Sequence, residues 1–334
     1  MKILLDHTWP FALAHGGFQT QIEQTRAALE RRGLEVEYVR WWDDRQAGDL
    51  IHSFGVPSLS YLAAAHEKGL PVVVTHLFTS TCNRTPFQLA VQGAIIRGLL
   101  AMPGWGMIRN QLTWLSFRTA DRMVIGLEAE RRVLRTVFGL ADNRIAIVPL
   151  GLDEAFLKAG RPSRAEPHLI TTGTITERKR SLELAFMARA AQVPILFVGK
   201  PYSWESRYWQ RFADLIDNRY VLHREHVSDR TEMIGLLKAS RGFVIFSQHE
   251  NWCLSAHEAA ACGLPLLVPD QPWSRERFSD QAQYLQPSGT GENSIRLRAF
   301  YEKCPCLRPP AIKLYSWDEA VVPLEACYRS LLCP

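Results

Sequence analysis

The segment from Gly242 to Asp270 constrains the fold of this chain more than any other stretch of its sequence. It begins with a short apolar run, Phe243–Phe246, rich in the β-branched and aromatic residues of buried parallel strands. A polar loop follows, and then a helical pattern over residues 254–261 that Gly263 ends. A second apolar run, Leu264–Val268, completes the order strand, helix, strand. This order is a βαβ unit, which predicts an α/β fold with parallel strands.

Two carboxylates lie on this unit: Glu250 in the loop and Glu258 on the helix, with seven residues between them. Ligands of parallel α/β sheets bind beyond the carboxyl ends of the strands, where a helix N-terminus offers free N–H groups to a phosphate. Because carboxylates accept hydrogen bonds from hydroxyls, two acids flanking a phosphate predict a nucleotide-sugar site. The alternative is that Glu258 only favours the helix dipole and Glu250 is a solvated loop residue.

The start of the chain shows the same order of elements. A strand over residues 2–6 leads through the pair Gly16-Gly17 into a helix over residues 18–32 and a strand over residues 36–39. Glycines at such a turn let the backbone approach a ligand closely, although a plain tight turn explains them equally well. The pair does not match GxGxxG, so a dinucleotide fingerprint is absent. Further strands are predicted at 49–54, 70–75, 121–125 and 144–148.

His76 directly follows the apolar strand 70–75, at the end of a strand where functional residues belong. A lone histidine is more often structural, so this position is only a candidate. Residues 88–119 then have a helical pattern that carries arginines and tryptophans. Such a pattern suits a helical insertion that packs on the sheet, with peripheral contact to an anionic membrane surface as the alternative.

A second domain begins after residues 159–167, whose Gly, Pro and charged residues are typical of a linker. The predicted strand 169–172 is followed by Gly173 and the basic run Arg178-Lys179-Arg180. Positive charge at a helix start opposes the helix dipole, so this run favours a diphosphate site over a solvated turn. Another strand ends at Gly199-Lys200 without P-loop spacing, and residues 271–286 read as irregular.

Composition excludes several classes of protein. With 334 residues, 47% of them hydrophobic and 22% charged, the chain fits two ordinary globular domains. A net charge of +5 suits an anionic small substrate and does not demand nucleic acid. Seven scattered cysteines without a CxxC pair, no signal peptide and no uninterrupted apolar span predict a cytoplasmic location.

Taken together, these motifs resemble those of the retaining GT-B glycosyltransferases of the family 4 type, over nearly the whole chain. Glu250 and Glu258, followed by the sequence AAACGLP, are similar to the E-x7-E donor motif of that family. Gly173 with Arg178 and Lys179 is similar to its glycine loop and basic pair, and Gly16-Gly17 to its N-terminal glycine loop. His76 is similar to its acceptor-side histidine.

The resemblance implies two Rossmann-like domains that face each other across a cleft. The N-terminal acceptor domain would span residues 1–158 and the donor domain residues 159–315, with a last helix over residues 316–334 packing back on the first. The implied reaction is metal-independent hexosyl transfer from a UDP- or GDP-linked sugar to the hydroxyl of a glycan, a lipid-linked or a small-molecule acceptor. No cofactor and no metal are expected, since the chain has no DxD motif.

The resemblance also implies a role for each candidate residue. Arg178 and Lys179 would hold the diphosphate, Glu250 the donor sugar, Glu258 the ribose, and His76 the acceptor or the sugar. The other donor-binding candidates are Gly16, Gly17, Gly173, Gly199, Asn251, Trp252, Cys253, Leu254 and Ser255.

Two departures from the family pattern keep alternatives open. The family often has glycines where this chain has Asn251 and Cys253, and an arginine where it has Thr174. The alternatives are a nucleotide-sugar 2-epimerase of the same fold and a non-catalytic protein that binds nucleotide-sugars.

Overall fold

The computed structural model describes residues 1–11, 16–78, 80–102, 113–160 and 166–332. The chain divides into two compact units. The first contains Met1–Gly151 together with Trp317–Pro334, and the second contains Leu152–Ser316. The sequence predicted these boundaries at residues 158 and 315.

The first unit is built on a parallel sheet of six strands in the order β2-β1-β3-β4-β5-β6. The strands are β1 Lys2–His7, β2 Glu35–Tyr38, β3 Leu50–Phe54, β4 Val72–Thr75, β5 Arg122–Ile125 and β6 Ile145–Ile147. The central strands β3 and β4 are buried along their whole length, because helices cover both faces of a parallel sheet.

Helices of the first unit follow the strands in alternation. They are α1 Gly17–Arg31, α2 Leu59–Glu67, α3 Pro86–Ala101, α4 Thr113–Thr119 and α5 Glu128–Phe138. The single helix predicted over residues 88–119 is wrong in extent. Helix α3 ends at Ala101 and α4 starts at Thr113, while the intervening Trp105 and Arg109 lie outside the described residues.

The C-terminal residues of the first unit form two helices, α13 Trp317–Ala320 and α14 Val322–Leu332. The sequence predicted one helix here, and Pro323 at the start of α14 explains the break, since proline suits a first helical turn and not an interior. Tyr328 of α14 is fully buried in the core around Ile3, Leu5 and Val73. Its hydroxyl contacts His52 Nδ1 at 2.6 Å, and His52 Nε2 contacts Thr75 Oγ1 at 2.7 Å.

The second unit repeats this architecture with a parallel sheet in the order β12-β11-β10-β7-β8-β9. The strands are β7 Leu169–Thr172, β8 Ile195–Val198, β9 Val221–Arg224, β10 Phe243–Val244, β11 Leu266–Pro269 and β12 Gln283–Leu285. The helices are α6 Glu154–Leu157, α7 Ser181–Ala191, α8 Arg207–Ala213, α9 Arg230–Ala239, α10 Leu254–Ala261, α11 Pro272–Phe278 and α12 Gly291–Lys303. Two parallel six-stranded sheets with flanking helices confirm the predicted α/β fold.

The prediction that residues 271–286 are irregular is wrong. Helix α11 begins at Pro272 and strand β12 follows it at the edge of the sheet, where Leu267 pairs with Gln283. Gln271 and Ser274 cap the helix by exchanging side-chain hydrogen bonds with each other's backbone N–H groups. Glutamine is an uncommon N-cap residue, so the sequence carried little signal for this start.

No helix within the described ranges is long and apolar enough to cross a membrane.

Candidate active site

Two glycines shape the backbone at the carboxyl edge of the second sheet. Gly173, after β7, has φ +140°, and Gly199, after β8, has φ +156°, values that side-chain-bearing residues rarely adopt. A Cβ at Gly199 would lie 2.0 Å from the Gly173 carbonyl oxygen. The two strand ends therefore touch backbone to backbone, which requires glycine at Gly199. The sequence predicted Gly199 as a donor-binding candidate and carried no signal for this backbone contact.

The basic run after Gly173 converges on Glu250. Lys179 Nζ donates to Glu250 Oε1 at 2.5 Å, and Arg178 Nη1 donates to the same oxygen at 3.0 Å. Arg178 Nη1 also donates to the His249 carbonyl at 3.2 Å, and Gln248 N donates to the Arg178 carbonyl at 2.8 Å. The glycine loop after β7 and the loop after β10 are thus one hydrogen-bonded structure. A freely solvated basic turn is excluded.

The electrostatics of this cluster leave a surplus of positive charge. Burial by itself would raise the pKa of Glu250, whose side chain is 10% exposed, but Lys179 and Arg178 outweigh burial and lower that pKa below its usual value. Glu250 is therefore ionised, and two cations share one carboxylate. Lys179 is 16% exposed and Arg178 is 42% exposed, so both remain within reach of a ligand. Such a group can attract a dianion such as a diphosphate.

Helix α10 begins immediately after this cluster. Cys253 is its N-cap residue and adopts φ +56° and ψ +68°, in the left-handed region that glycine favours. This is one of the two positions where the family pattern that the sequence resembles often has glycine, and the chain keeps a glycine-type backbone there with a cysteine. Ser255 contacts the buried Cys253 thiol, with 3.6 Å between Oγ and Sγ. The first N–H groups of the helix, at Leu254 and Ser255, have no intrahelical acceptor by the geometry of a helix start.

An aromatic stack holds the residues before α10 in place. Trp252 is buried and stacks on His257 with ring centroids 5.2 Å apart, while the Arg277 guanidinium lies 3.6 Å from the Trp252 ring centre. His257 Nδ1 contacts the Cys253 carbonyl at 3.0 Å, and burial lowers the pKa of His257 to about 4. Asn251 is buried as well. The buried side chains of Asn251 and Trp252 thus hold the loop that precedes α10 in its conformation.

Glu258 lies one turn further along α10 in a different environment. It is half-buried, and within the described part of the chain its carboxylate has no ion pair and no hydrogen bond. Burial raises its pKa to about 7, an effect that Arg230 reduces and Asp153 adds to. An unpaired carboxylate next to a helix N-terminus is ready to accept hydrogen bonds from ligand hydroxyls.

Arg230 and Asp153, which the sequence did not single out as site residues, are the charged neighbours of Glu258. Arg230 Nε lies 3.9 Å from Asp153 Oδ2. Asp153 caps α6 by accepting from Ala155 N at 2.9 Å, and Arg230 is the first residue of α9. The position of Arg230 was a usable signal, because an arginine at a helix start opposes the dipole just as Arg178 and Lys179 do.

The first unit carries the three remaining candidates. Gly16 precedes α1 with φ +114°, whereas Gly17 is the first residue of α1 and has open space where a Cβ would lie. Only Gly16 therefore requires glycine. His76 follows β4 and packs against Phe78 and Phe117, with centroids 4.6 and 5.2 Å away. Burial lowers the pKa of His76 to about 4, so its ring is neutral at pH 7.

Among the residues with described positions, no group of three or more His, Cys, Asp or Glu could hold a metal ion. The second unit brings together Gly173, Arg178, Lys179 and Glu250, and joins them through the loop of Asn251 and Trp252 to the N-terminus of α10. The arrangement offers cations and helix N–H groups for a phosphate, and carboxylates for hydroxyls.

Comparisons with known proteins found similarity to glycosyltransferases. D-inositol 3-phosphate glycosyltransferase of Kineococcus radiotolerans is 26% identical over 199 residues, which are 52% of this chain and 45% of that protein. The chain thus matches less than half the length of this curated relative. No protein-family model matches the chain.

Solved structures show the fold. Sucrose-phosphate synthase from Thermosynechococcus elongatus superposes with a TM-score of 0.64 at 15% identity, covering 99% of this chain and 94% of that chain. Anabaena HepE in complex with UDP-glucose superposes with a TM-score of 0.61 at 13% identity, covering 99% and 95%. The fold is GT-B, and the predicted resemblance to GT-B glycosyltransferases is confirmed.

Proposed function

We propose that this GT-B protein is a retaining glycosyltransferase that moves a hexosyl group from a nucleotide-diphosphate sugar to a hydroxyl acceptor without a metal ion. The observation that carries the proposal is the pairing of two cations with Glu250 on one side of the α10 N-terminus and an unpaired Glu258 on the other. The curated relative is a glycosyltransferase, and HepE was solved with UDP-glucose. Both are consistent with a nucleotide-sugar donor.

The diphosphate is assigned to Arg178, Lys179 and the first N–H groups of α10. As the bond between the sugar C1 and the phosphate oxygen breaks, negative charge grows on the leaving diphosphate. Cations fixed close to that charge stabilise it by several kcal/mol, as preorganised donors do in other enzymes. The two cations supply this charge from the protein itself, which is the basis for proposing metal independence.

The two acids are assigned to the two polyols of the donor. Glu258 accepts hydrogen bonds from the ribose hydroxyls, and Glu250 accepts them from hydroxyls of the transferred sugar. Because Glu250 is held by Lys179 at 2.5 Å, its carboxylate is also oriented before the donor arrives. Gly173 and Gly199 are assigned to shaping the strand ends beside Lys179, since a Cβ at Gly199 would meet the Gly173 carbonyl oxygen. Gly16 and Gly17 are assigned to the donor phosphates.

His76 is assigned to the acceptor hydroxyl or the donor sugar. A neutral imidazole can accept a proton or a hydrogen bond, and burial keeps this ring neutral at pH 7. Retention is assigned to attack of the acceptor oxygen on the same face of C1 that the phosphate leaves. The acceptor oxygen gains the bond to C1, and its proton passes to the departing phosphate oxygen. No protein nucleophile is needed.

The conformation of Cys253 supports a close ligand contact at the start of α10. A cysteine replaces an expected glycine, yet its backbone is left-handed, as a glycine's would be at a close ligand contact. The strain of about 1 kcal/mol that this costs argues that the backbone shape at the start of α10 is needed.

The first experiment is a thermal-shift panel of UDP- and GDP-linked sugars. A ligand present at a hundred times its Kd stabilises the native protein by about 2.7 kcal/mol, so the preferred donor raises the melting temperature most. With that donor, Lys179→Ala and Glu258→Ala are expected to abolish transfer while keeping the circular dichroism spectrum. Lys158→Ala, at a lysine that is 75% exposed, is the matched control and keeps full activity.

Three outcomes would contradict parts of this proposal. Unchanged transfer in both Lys179→Ala and Glu258→Ala would refute the assigned site. Release of UDP with an epimerised sugar from UDP-GlcNAc, without any acceptor, would favour the 2-epimerase. Loss of activity with EDTA and recovery with Mg²⁺ would refute metal independence.

The cytoplasmic location and a peripheral membrane contact through residues 88–118 stay predictions, and flotation with anionic liposomes tests the contact.

A further inference from the structure

Three exposed tryptophans lie at the carboxyl edge of the first sheet. Trp9 follows β1 and is 61% exposed, while Trp41 and Trp42 follow β2 and are 72% and 83% exposed. Strands β1 and β2 are neighbours and parallel, so the loops that follow them leave the same edge. In α/β sheets this is the edge where ligands bind. Because indole rings are normally largely buried, three exposed ones at this edge call for a function.

The turn that carries Trp41 and Trp42 is rigid. The Arg40 guanidinium pairs with Glu37 at 2.7 Å and with Asp43 at 2.8 Å. Gln46 accepts from Arg40 N at 2.8 Å and donates to the Tyr38 carbonyl at 2.9 Å. These hydrogen bonds and ion pairs all join residues between Glu37 and Gln46. The two indoles are therefore presented to solvent by an ordered support.

The loop that carries Trp9 is tied down as well. Thr8 N donates to the Phe54 carbonyl at 3.1 Å, and His7 Nδ1 contacts the Trp9 carbonyl at 2.8 Å. A Cβ at Gly55, which has φ +105°, would lie 2.2 Å from Thr8 Oγ1. Glycine at this position lets the loop after β1 approach the end of β3. That approach fixes where Trp9 leaves the sheet.

Polar groups accompany the aromatic rings. Tyr61, in the first turn of α2, lies 5.9 Å from the Trp41 ring between centroids. Burial raises the pKa of Tyr61, and the carboxylate of Asp6, a buried residue of β1, adds to this effect. Flat apolar rings beside a hydroxyl and a carboxylate match the chemistry of a sugar, which has an apolar face of C–H bonds and a rim of hydroxyls.

Charge favours a neutral sugar over a membrane surface. Asp43 and Asp44 directly follow Trp42, and Asp44 is exposed. Arg40 is paired with Glu37 and Asp43, and the exposed Arg45 offsets the charge of Asp44. The turn therefore has no surplus of positive charge to attract anionic lipid head groups, whereas a neutral polyol needs none.

We propose that Trp9, Trp41, Trp42 and Tyr61 form an aromatic platform on which a neutral sugar ring of a glycan acceptor stacks. The proposal rests on the proposed function and deepens it, because it selects a glycan among the acceptor classes. The platform binds and orients the acceptor, and it takes no part in bond making.

The test titrates the full chain with maltotriose, cellotriose, chitotriose and mannotriose in isothermal titration calorimetry. We expect saturable binding of at least one trisaccharide. The double variant Trp41→Ala/Trp42→Ala should weaken that binding at least about fivefold, the range that aromatic contacts supply. Trp204→Ala, at a tryptophan of the second unit that is 46% exposed, is the matched control and should bind like the wild type.

A thermal shift with the preferred nucleotide-sugar separates the two proposals. If the wild type binds a donor but no trisaccharide saturates, or if the double variant binds as tightly as the wild type, the platform is refuted and the proposed function stands. If a trisaccharide saturates and the double variant loses it while no donor binds, the proposed function fails and the platform stands. Binding to anionic vesicles that the double variant loses, without trisaccharide binding, would assign the tryptophans to a membrane and refute the platform.

Discussion

Replacement of Glu258 by glutamine is expected to stabilise the protein at alkaline pH while it weakens donor binding. The folded protein raises the pKa of this carboxyl from 4.5 to about 7, chiefly because it is buried, with Asp153 adding to the effect and Arg230 opposing it. Between these two values the unfolded chain has lost the proton and the folded protein still holds it. Stability therefore falls as pH rises through this window, by up to about 1.4 kcal/mol for each pH unit.

The magnitude follows from the size of the shift. A full shift from 4.5 to about 7 corresponds to about 3 kcal/mol at pH 8. The side chain is half-buried, so solvent screens part of this cost, and we expect about 2 kcal/mol. Glutamine keeps the shape and cannot ionise. Glu258→Gln should thus match the wild type near pH 4.5 and exceed its free energy of unfolding by about 2 kcal/mol at pH 8.

Urea denaturation at pH 5 and pH 8, followed by fluorescence and by circular dichroism, measures this difference. Glu292→Gln is the matched control, because Glu292 is 64% exposed and pairs with Arg296 on the surface of α12. The same variants are tested for donor affinity, which in the wild type should rise as Glu258 ionises through pH 7. Identical pH dependence of unfolding in the wild type and in Glu258→Gln would refute the buried, unpaired state of this carboxylate.

Three further predictions address the backbone and the buried polar groups. Gly199→Ala should cost at least about 2 kcal/mol of stability and lower donor affinity, since the new Cβ would lie 2.0 Å from the Gly173 carbonyl oxygen. Gly235→Ala, in open space on α9, should be neutral or stabilising, and equal urea midpoints of the two variants would contradict this reasoning. Cys253→Gly should be about 1 kcal/mol more stable than Cys253→Ala, since both variants lose the thiol and only glycine adopts φ +56° without strain. A higher urea midpoint for Cys253→Ala would show that this backbone is unstrained. Tyr328→Phe should cost about 2 kcal/mol of stability, because it leaves His52 Nδ1 buried without its partner at 2.6 Å. Tyr301→Phe, at an exposed hydroxyl, should cost less than about 0.5 kcal/mol, and an equally small effect at Tyr328 would contradict the hydrogen bond to His52.

Much of the fold was readable from the sequence because its strands are short apolar runs between turn residues. The strand Leu169–Thr172 and the helix Leu254–Ala261 were predicted with their observed bounds. The errors lie where local signals were weak. Helix α11 starts with an uncommon glutamine cap, and the last helix breaks ahead of a proline.

The sequence by itself determined the fold class and the types of residue available for chemistry. The spacing of Glu250 and Glu258 and the basic run before α7 predicted a ligand-binding edge in the second unit, because helix and strand periods are local properties. What it could not supply was the state of each group, since that depends on neighbours distant in the chain.

Only the tertiary structure decided which charges are paired. Lys179 and Arg178 reach Glu250 across more than seventy positions of sequence. Glu258, on helix α10, has no ion pair among the described residues, and the charges of Arg230 and Asp153 act on it from a distance. The pKa of Glu250 is therefore lowered, and the pKa of Glu258 is raised to about 7. The physical reason is that burial and charge pairing act through space, and the same residue type ionises readily or reluctantly according to which of the two prevails.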